Sequence, residues 1–386
     1  MKKKRLILTI CAGMCVLLAA IVMAIAFSYS APKHQHVLGE NKTYHICNDR
    51  IYYTRLCQDG CVVPFETKAT LTDVFSIVTA DESIVLDEDI VLTEEMTIKT
   101  YVGQGRDVTN LELNINLDLN NFTISSHVVS KSNDSLFMFN ANRGKVNFNI
   151  KNGKLYTEDL SYIFRFKNNK YSGKNIKINI EDVECTAKGI NSTPIFAHDC
   201  ANIELNAKGC KFVSQNSGTQ RGDYGVGVFI NSDSQFKFED CYFEGGDAVY
   251  VKSGTVDLTG CKLVNSGLVS VASQGVDTFS AVGACLTADN HTTASGTTQF
   301  AITIKDCYME SKTSYKTISV ITTSNQSGLQ LAVNENSVID VQSCKFNNDP
   351  TAMSIPQYDL VKYPNNQPPV HYGTQVWICG EFEEID

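Results

Sequence analysis

Six stretches of this chain share one shape, and that repetition constrains the fold more than any other feature. They are "INIEDVECTAKG" (178–189), "LNAKGCKFVS" (205–214), "FEDCYFEGG" (238–246), "DLTGCKLVNSG" (257–267), "TIKDCYMES" (303–311) and "DVQSCKFNN" (340–348). In each, alternating apolar residues lead to a Gly, Asp, Ser or Glu, then a cysteine, and usually an apolar residue two further on. The cysteines are spaced by 25 residues (185 to 210), 31 (210 to 241), 20 (241 to 261), 46 (261 to 307) and 37 (307 to 344). A recurring unit of about 20 to 50 residues marks a solenoid. Units built only of strands, with uneven loops, point to a β-helix rather than to a propeller of steady period. The step of 46 is expected to contain a further turn of the repeat, because "SAVGACLTA" (280–288) falls near its middle.

Strand-like alternation fills the region before the repeats as well, as in "LELNINLDLNNFTISS" (111–126), "GKVNFNIKNGKLYT" (144–157) and "KNIKINIEDVECTA" (174–187). One piece is different. In "TLTDVFSIV" (70–78) Leu71, Val74, Phe75 and Val78 recur at helical spacing, which predicts a helix capping the first coil. In a stack of parallel coils the same strand position recurs about 4.8 Å apart. Cys210, Cys241, Cys261, Cys307 and Cys344, with Cys185, are therefore expected to form an interior column beside a turn, with Gly153 at the matching place. Packing is the principal role expected of that column, with disulfides between coils as the alternative.

The body over roughly 70–380 resembles the right-handed parallel β-helix domains of bacterial surface proteins, within the pectate-lyase-like superfamily. "IVLDEDIVLTEEMTI" followed by "LDLNNFTI" resembles their usual opening, with Asn121 where the turn commonly carries glycine. The resemblance implies an all-β, right-handed parallel β-helix, a single-stranded solenoid with an N-terminal capping helix, belonging to a Gram-positive-type surface protein. It implies little about activity, since such folds serve lyases, hydrolases and adhesins alike.

Charge and targeting narrow the partners. A net charge of −9, with no basic run after residue 5, argues against a nucleic-acid binder, which would need a basic face to displace counterions. "MKKKR" precedes 22 residues without a charge (6–27), long enough to span a bilayer. Residues 1–30 are thus expected to be a transmembrane signal anchor, or a signal peptide cleaved near Ser28 or Ser30. Either places the rest outside the membrane: a single-pass surface protein, or a secreted one. Residues 31–66 form a Cys/His-rich stalk, and 67–386 the β-helix with its terminal caps.

Two groups of residues are candidates for chemistry. In the stalk, His34, His36, His45, Cys47, Cys57 and Cys61 have the donor types of a structural zinc site, although a disulfide or an unstructured linker would use the same segment as well. In the body, Glu239, Asp240, Glu244 and Asp247, with Lys252 and Arg221, are the densest charged cluster. A polysaccharide lyase or glycoside hydrolase would need such groups to converge in one groove. The principal expectation is non-enzymatic: an adhesin-like surface displaying loops that bind glycans or other surface ligands. A polysaccharide-degrading enzyme on the same scaffold is the alternative.

Overall fold

The structure is a computed structural model. It describes residues 37–47, 50–69, 74, 83–92, 96–99, 112–126, 135–140, 145–158, 162–166, 176–189, 192–216, 225–266, 284–293, 295–312, 317–324, 334, 336–348, 359–361, 371–372 and 379–384. Two compact units divide the chain: residues 1–41 with 55–63, and residues 42–54 with 64–386. In the first, Cys57 and Cys61 are joined by a disulfide of 2.04 Å. There the Gln58 N–H donates to the Val37 carbonyl at 3.0 Å. Val37, Leu56 and Val62 stand exposed in this unit.

The second unit is a parallel β-helix, and strand register alone establishes it. Residues 112–118 pair in parallel with 145–151, which pair with 176–181, which pair with 203–208. The same face continues through 235–239, 255–259, 301–305 and 338–342. A second face runs from 123–126 through 154–157, 184–189, 211–213, 242–245, 262–265 and 308–311 to 345–348. A third runs from Met96–Lys99 through 137–140, 164–166, 195–198 and 228–230 to 249–251, 286–288 and 318–320. All the pairings that build the three faces are parallel; short antiparallel pairings occur at the hairpin 292–297 and at strands Asp359–Val361 and His371–Tyr372.

Alternation of side chains explains why these sequences wind this way. On the first face Ile115, Phe148, Ile178, Leu205, Phe236, Val256, Ile302 and Ile339 stack inward, one per coil, and all are essentially inaccessible. Leu117, Ile150, Ile180, Ala207, Phe238, Leu258, Ile304 and Val341 form the next inward column. Full burial of one such aliphatic or aromatic side chain is worth roughly 1.5–3 kcal/mol. A slip of one residue would turn every column outward, so the register is strongly specified.

Between the first and second faces eight successive coils turn through the left-handed region, the first of them at two residues, Asn120 (φ 50°) and Asn121, while the coil before them, 83–92, turns without one. Asn121 (φ 68°), Asn152 (58°), Asp182 (53°), Gly209 (62°), Asp240 (52°), Gly260 (64°), Asp306 (53°) and Ser343 (53°) occupy this corner in successive coils. Asn, Asp and Gly are the residues that tolerate this backbone region. Asp182 and Asp240 each place a carboxylate oxygen over the glycine of the next coil, where a Cβ would collide with it. The alternation of Asp and Gly at 182, 209, 240 and 260 is thus steric.

The residue after the corner is the cysteine. Cys210, Cys241, Cys261, Cys307 and Cys344 form the expected ladder. Each Sγ lies 3.2–3.4 Å from the carbonyl two residues earlier and 3.4–3.6 Å from a carbonyl of the preceding coil. Gly153 holds the matching place, beside Val183 of the next coil. Cys185 does not: it pairs with Phe212, one inward position further on, in the core column of the second face. The step of 46 also differs from expectation. Thr259 pairs directly with Lys305 and Lys262 with Tyr308, so it is one coil with a long excursion, and Cys285 lies on the third face.

The helix expected over 70–78 lies outside the described residues except for Val74, which is helical and fully buried. Residues 1–36 lie outside them too. Among the described residues no helix is long and apolar enough to cross a membrane.

Hydrogen bonding to the preceding thiol, with burial adding to it, pushes Cys241, Cys261 and Cys307 up to about 12. These ladder thiols should therefore resist alkylation by iodoacetamide at pH 8 in the native chain and react together on unfolding. Labelling of Cys261 or Cys307 without unfolding would contradict the ladder. At the corner, Gly260→Ala should destabilise the chain by about 1–3 kcal/mol through strain at positive φ, measured by denaturant unfolding.

Candidate functional site

The five charged residues expected to form a cleft do not converge. Glu239 is exposed and pairs with Lys208 at 2.5 Å. Asp240 is an exposed corner residue. Glu244 accepts a hydrogen bond from the Tyr242 hydroxyl at 2.7 Å on the outside of the second face. Asp247 is fully buried and accepts from the Ala284 N–H at 2.8 Å and the Thr287 hydroxyl at 3.2 Å. Lys252 is buried too, 3.2 Å from Asp289, which also accepts from the Tyr250 hydroxyl at 3.0 Å. Asp247 and Lys252 therefore serve the interior rather than a solvated turn. Arg221 lies outside the described residues.

The candidates of residues 31–66 separate as well. His34 and His36 lie outside the described residues. Cys57 and Cys61 are bonded to each other, and a bonded pair supplies no thiolate to a metal. His45 and Cys47 meet Asp87 instead. His45 Nδ1 is 3.0 Å from Asp87 Oδ1, and its Nε2 is 3.2 Å from Thr54 Oγ1. Tyr52 stacks on the His45 ring at 4.7 Å and donates its hydroxyl to Asp87 Oδ2 at 2.5 Å. Burial, with the Asp87 and Glu88 charges adding to it, pushes the Cys47 thiol up. Among the described residues no cluster of three His, Cys, Asp or Glu side chains is arranged to hold a metal ion.

An open groove of about 460 Å³ lies elsewhere, on the outside of the first face. Its centre is a row of amides. Asn116, Asn149 and Asn179 occupy the same outward position in three successive coils, and Ser83 extends the row by one coil. Asn149 donates from Nδ2 to Asn116 Oδ1 at 2.7 Å, and Asn179 to Asn149 Oδ1 at 2.6 Å. Asn206, one coil on, donates to Asn179 Oδ1 at 3.0 Å. An amide has two N–H groups and two acceptor lone pairs. The row uses one donor and one acceptor each of Asn149 and Asn179, and the second donor and acceptor of each are left for a ligand.

A row of alternating charge borders the amides: Asp118, Lys151 and Glu181, following Val85. Asp118 and Lys151 pair at 3.3 Å. Burial pulls the Asp118 carboxyl upward, but hydrogen bonds from the Asn120 N–H, the Asn152 amide and Lys151 outweigh it and hold it below its ordinary value. The outside of the second face is different. There Lys211 lies over the Tyr242 ring at 5.5 Å and Lys262 over Tyr308 at 5.2 Å, so lysines already cover these aromatic faces. The groove is the better candidate site. Sequence reading missed it because Asn114, Asn116, Asn147, Asn149, Asn179 and Asn206 read as ordinary polar positions of alternating strands. Asn149, Asn179 and Asn206 each lie three residues before a corner, and that shared spacing was the available signal.

No protein-family model matches the sequence, and no curated protein is significantly similar to it. Solved structures resemble it weakly. Pectate lyase Pel9A is 10% identical over 76% of this chain and 77% of its own, with a TM-score of 0.30. ORF18 of Geobacillus virus E2 is 14% identical over 73% and 69%, with a TM-score of 0.30. The Dettilon tailspike protein is 12% identical over 78% and 53%, with a TM-score of 0.26. The parallel β-helix assignment rests on strand register, not on these likenesses.

Two measurements check the electrostatics. Asp289→Ala should remove the carboxylate paired with the buried Lys252 charge and cost about 3–5 kcal/mol in denaturant unfolding. The second concerns Asp118, whose folded pKa is depressed. Its contribution to stability is complete above the unfolded carboxylate value of about 3.9 and is lost as pH falls through the lower folded value. Stability should drop below about pH 4, and less steeply in Asp118→Asn than in the parent chain.

Proposed function

We propose that this chain is a glycan-binding β-helix whose outer groove holds an extended, neutral polysaccharide without cleaving its backbone. The amide row carries this reading. It offers hydrogen-bond donors and acceptors at a coil repeat of about 4.8 Å, the regular array that suits the repeated hydroxyls of a sugar chain. The bordering charges alternate in sign, so they neither concentrate cations for a polyuronate nor place two facing carboxylates across a glycosidic bond. With residues 6–27 as a signal anchor or cleaved signal, the groove would act outside the membrane, in an adhesin-like role. Zinc has no part in this reading.

Titration of the full-length chain with neutral and acidic oligosaccharides tests it. Neutral oligosaccharides long enough to span three coils should bind. Asn149→Ala and Asn179→Ala should each weaken binding by up to about tenfold, as expected for the loss of a hydrogen bond of roughly 0.5–1.5 kcal/mol. Preference for polyuronates, or affinity indifferent to both substitutions, would refute the groove. Cleavage of the sugar backbone would establish the enzyme alternative.

A further inference from the structure

Three side chains, two on strands and one just after a third, meet beside the coil that carries the groove's Ser83 and Val85. His45, on strand Leu38–Ile46, is the register partner of Val85, which lines the groove, and Thr43 is the partner of Ser83. Thr54 comes from strand Ile51–Cys57, and Asp87 directly follows strand Ser83–Leu86. Thr54 Oγ1, His45 Nε2, His45 Nδ1 and Asp87 Oδ1 form a continuous chain with separations of 3.2 Å and 3.0 Å.

The proton positions follow from the acceptor. An ionised carboxylate can only accept, so Nδ1 carries the hydrogen shared with Asp87. In neutral imidazole the lone pair is then on Nε2, facing the Thr54 hydroxyl, which donates to it. The Tyr52 hydroxyl occupies the other Asp87 oxygen and its ring stacks at 6° to the imidazole, which fixes both partners. His45 and Asp87 keep 20% and 29% of their side-chain surface exposed, so the cluster is reachable from solvent. Arg50, whose guanidinium lies 5.6 Å from the centre of the Tyr52 ring, contributes positive charge. A hydroxyl, a base and an orienting carboxylate in this order are the parts of a nucleophilic acyl-transfer site.

We propose that Thr54, His45 and Asp87 hydrolyse small O-acyl esters, those carried by the polysaccharide in the groove being the fitting substrate class. That choice of substrate rests on the glycan-binding reading; the ester chemistry does not. Thr54 Oγ1 attacks the ester carbonyl carbon while its proton passes to His45 Nε2. The C–O bond to the sugar breaks, and His45 returns the proton to the departing sugar oxygen. A water then gives its proton to His45 and its oxygen to the acyl carbon. The acid leaves, and Thr54 recovers its proton. Asp87 orients the imidazole and stabilises its charged form, as a positioning residue.

The test uses the full-length chain and 4-nitrophenyl acetate, with intact-mass analysis for an acetyl group on Thr54. Thr54→Val and His45→Gln should each lower turnover by about 10²–10⁴-fold. Thr54→Ser should retain turnover and the acetylated intermediate, a rescue that a purely structural hydroxyl would not provide. Thermal unfolding of each variant separates loss of chemistry from loss of fold. Wild-type turnover no faster than Thr54→Val, or an acetyl group found only on other residues, would overturn the proposal. Ester hydrolysis without oligosaccharide binding would sustain the relay and sink the groove; binding without hydrolysis would do the reverse.

Discussion

Eight successive coils of this protein depend on a corner held at positive φ. That corner swings the chain from the first face to the second, and the ladder of inward cysteines begins immediately after it. Because the corner recurs at Asn121, Asn152, Asp182, Gly209, Asp240, Gly260, Asp306 and Ser343, the strands on either side fall into register over eight coils. The hydrophobic columns then stabilise what the corner has aligned. Neither suffices alone: columns without a common corner could slip, and corners without columns would have nothing to bury.

That dependence extends to the surface. Counting back from the corner places Asn149 and Asn179 on the same outward position, and the same count places Lys151 and Glu181 beside them. A regular row of amides is thus a by-product of regular winding, its members set by which polar residue each coil carries. The His45–Asp87–Thr54 chain differs in origin. It joins residues 9 and 42 positions apart, through strands of one coil and the next, and no repeat prescribes it.

Much of the fold was legible because the repeat is written in residues of narrow use. Cysteine after Gly, Asp or Ser marked five ladder positions, and strand alternation marked the faces. Cys185 misled because its coil carries Val183 at the ladder place, and a cysteine two residues later satisfies the core equally well. The acidic cluster at 239–247 misled for a related reason. Neighbours in sequence straddle a corner, so Glu239 points to solvent while Asp247 caps a buried strand. The candidate site was less legible than the fold, since an outward amide at regular spacing serves solubility as readily as binding.

The buried thiols have a consequence for how this molecule comes into being. Eight unbonded cysteines, from Cys185 to Cys344, are enclosed in the finished coils, yet all are open to one another in a nascent chain. Were the chain to wind under oxidising conditions, winding would race against wrongful crosslinking. Coils that close in sequence would hide each sulfur soon after it arrives, and a pause midway would leave several free to couple. The order in which the turns form is thus part of the protein's chemistry, set by where its cysteines were placed.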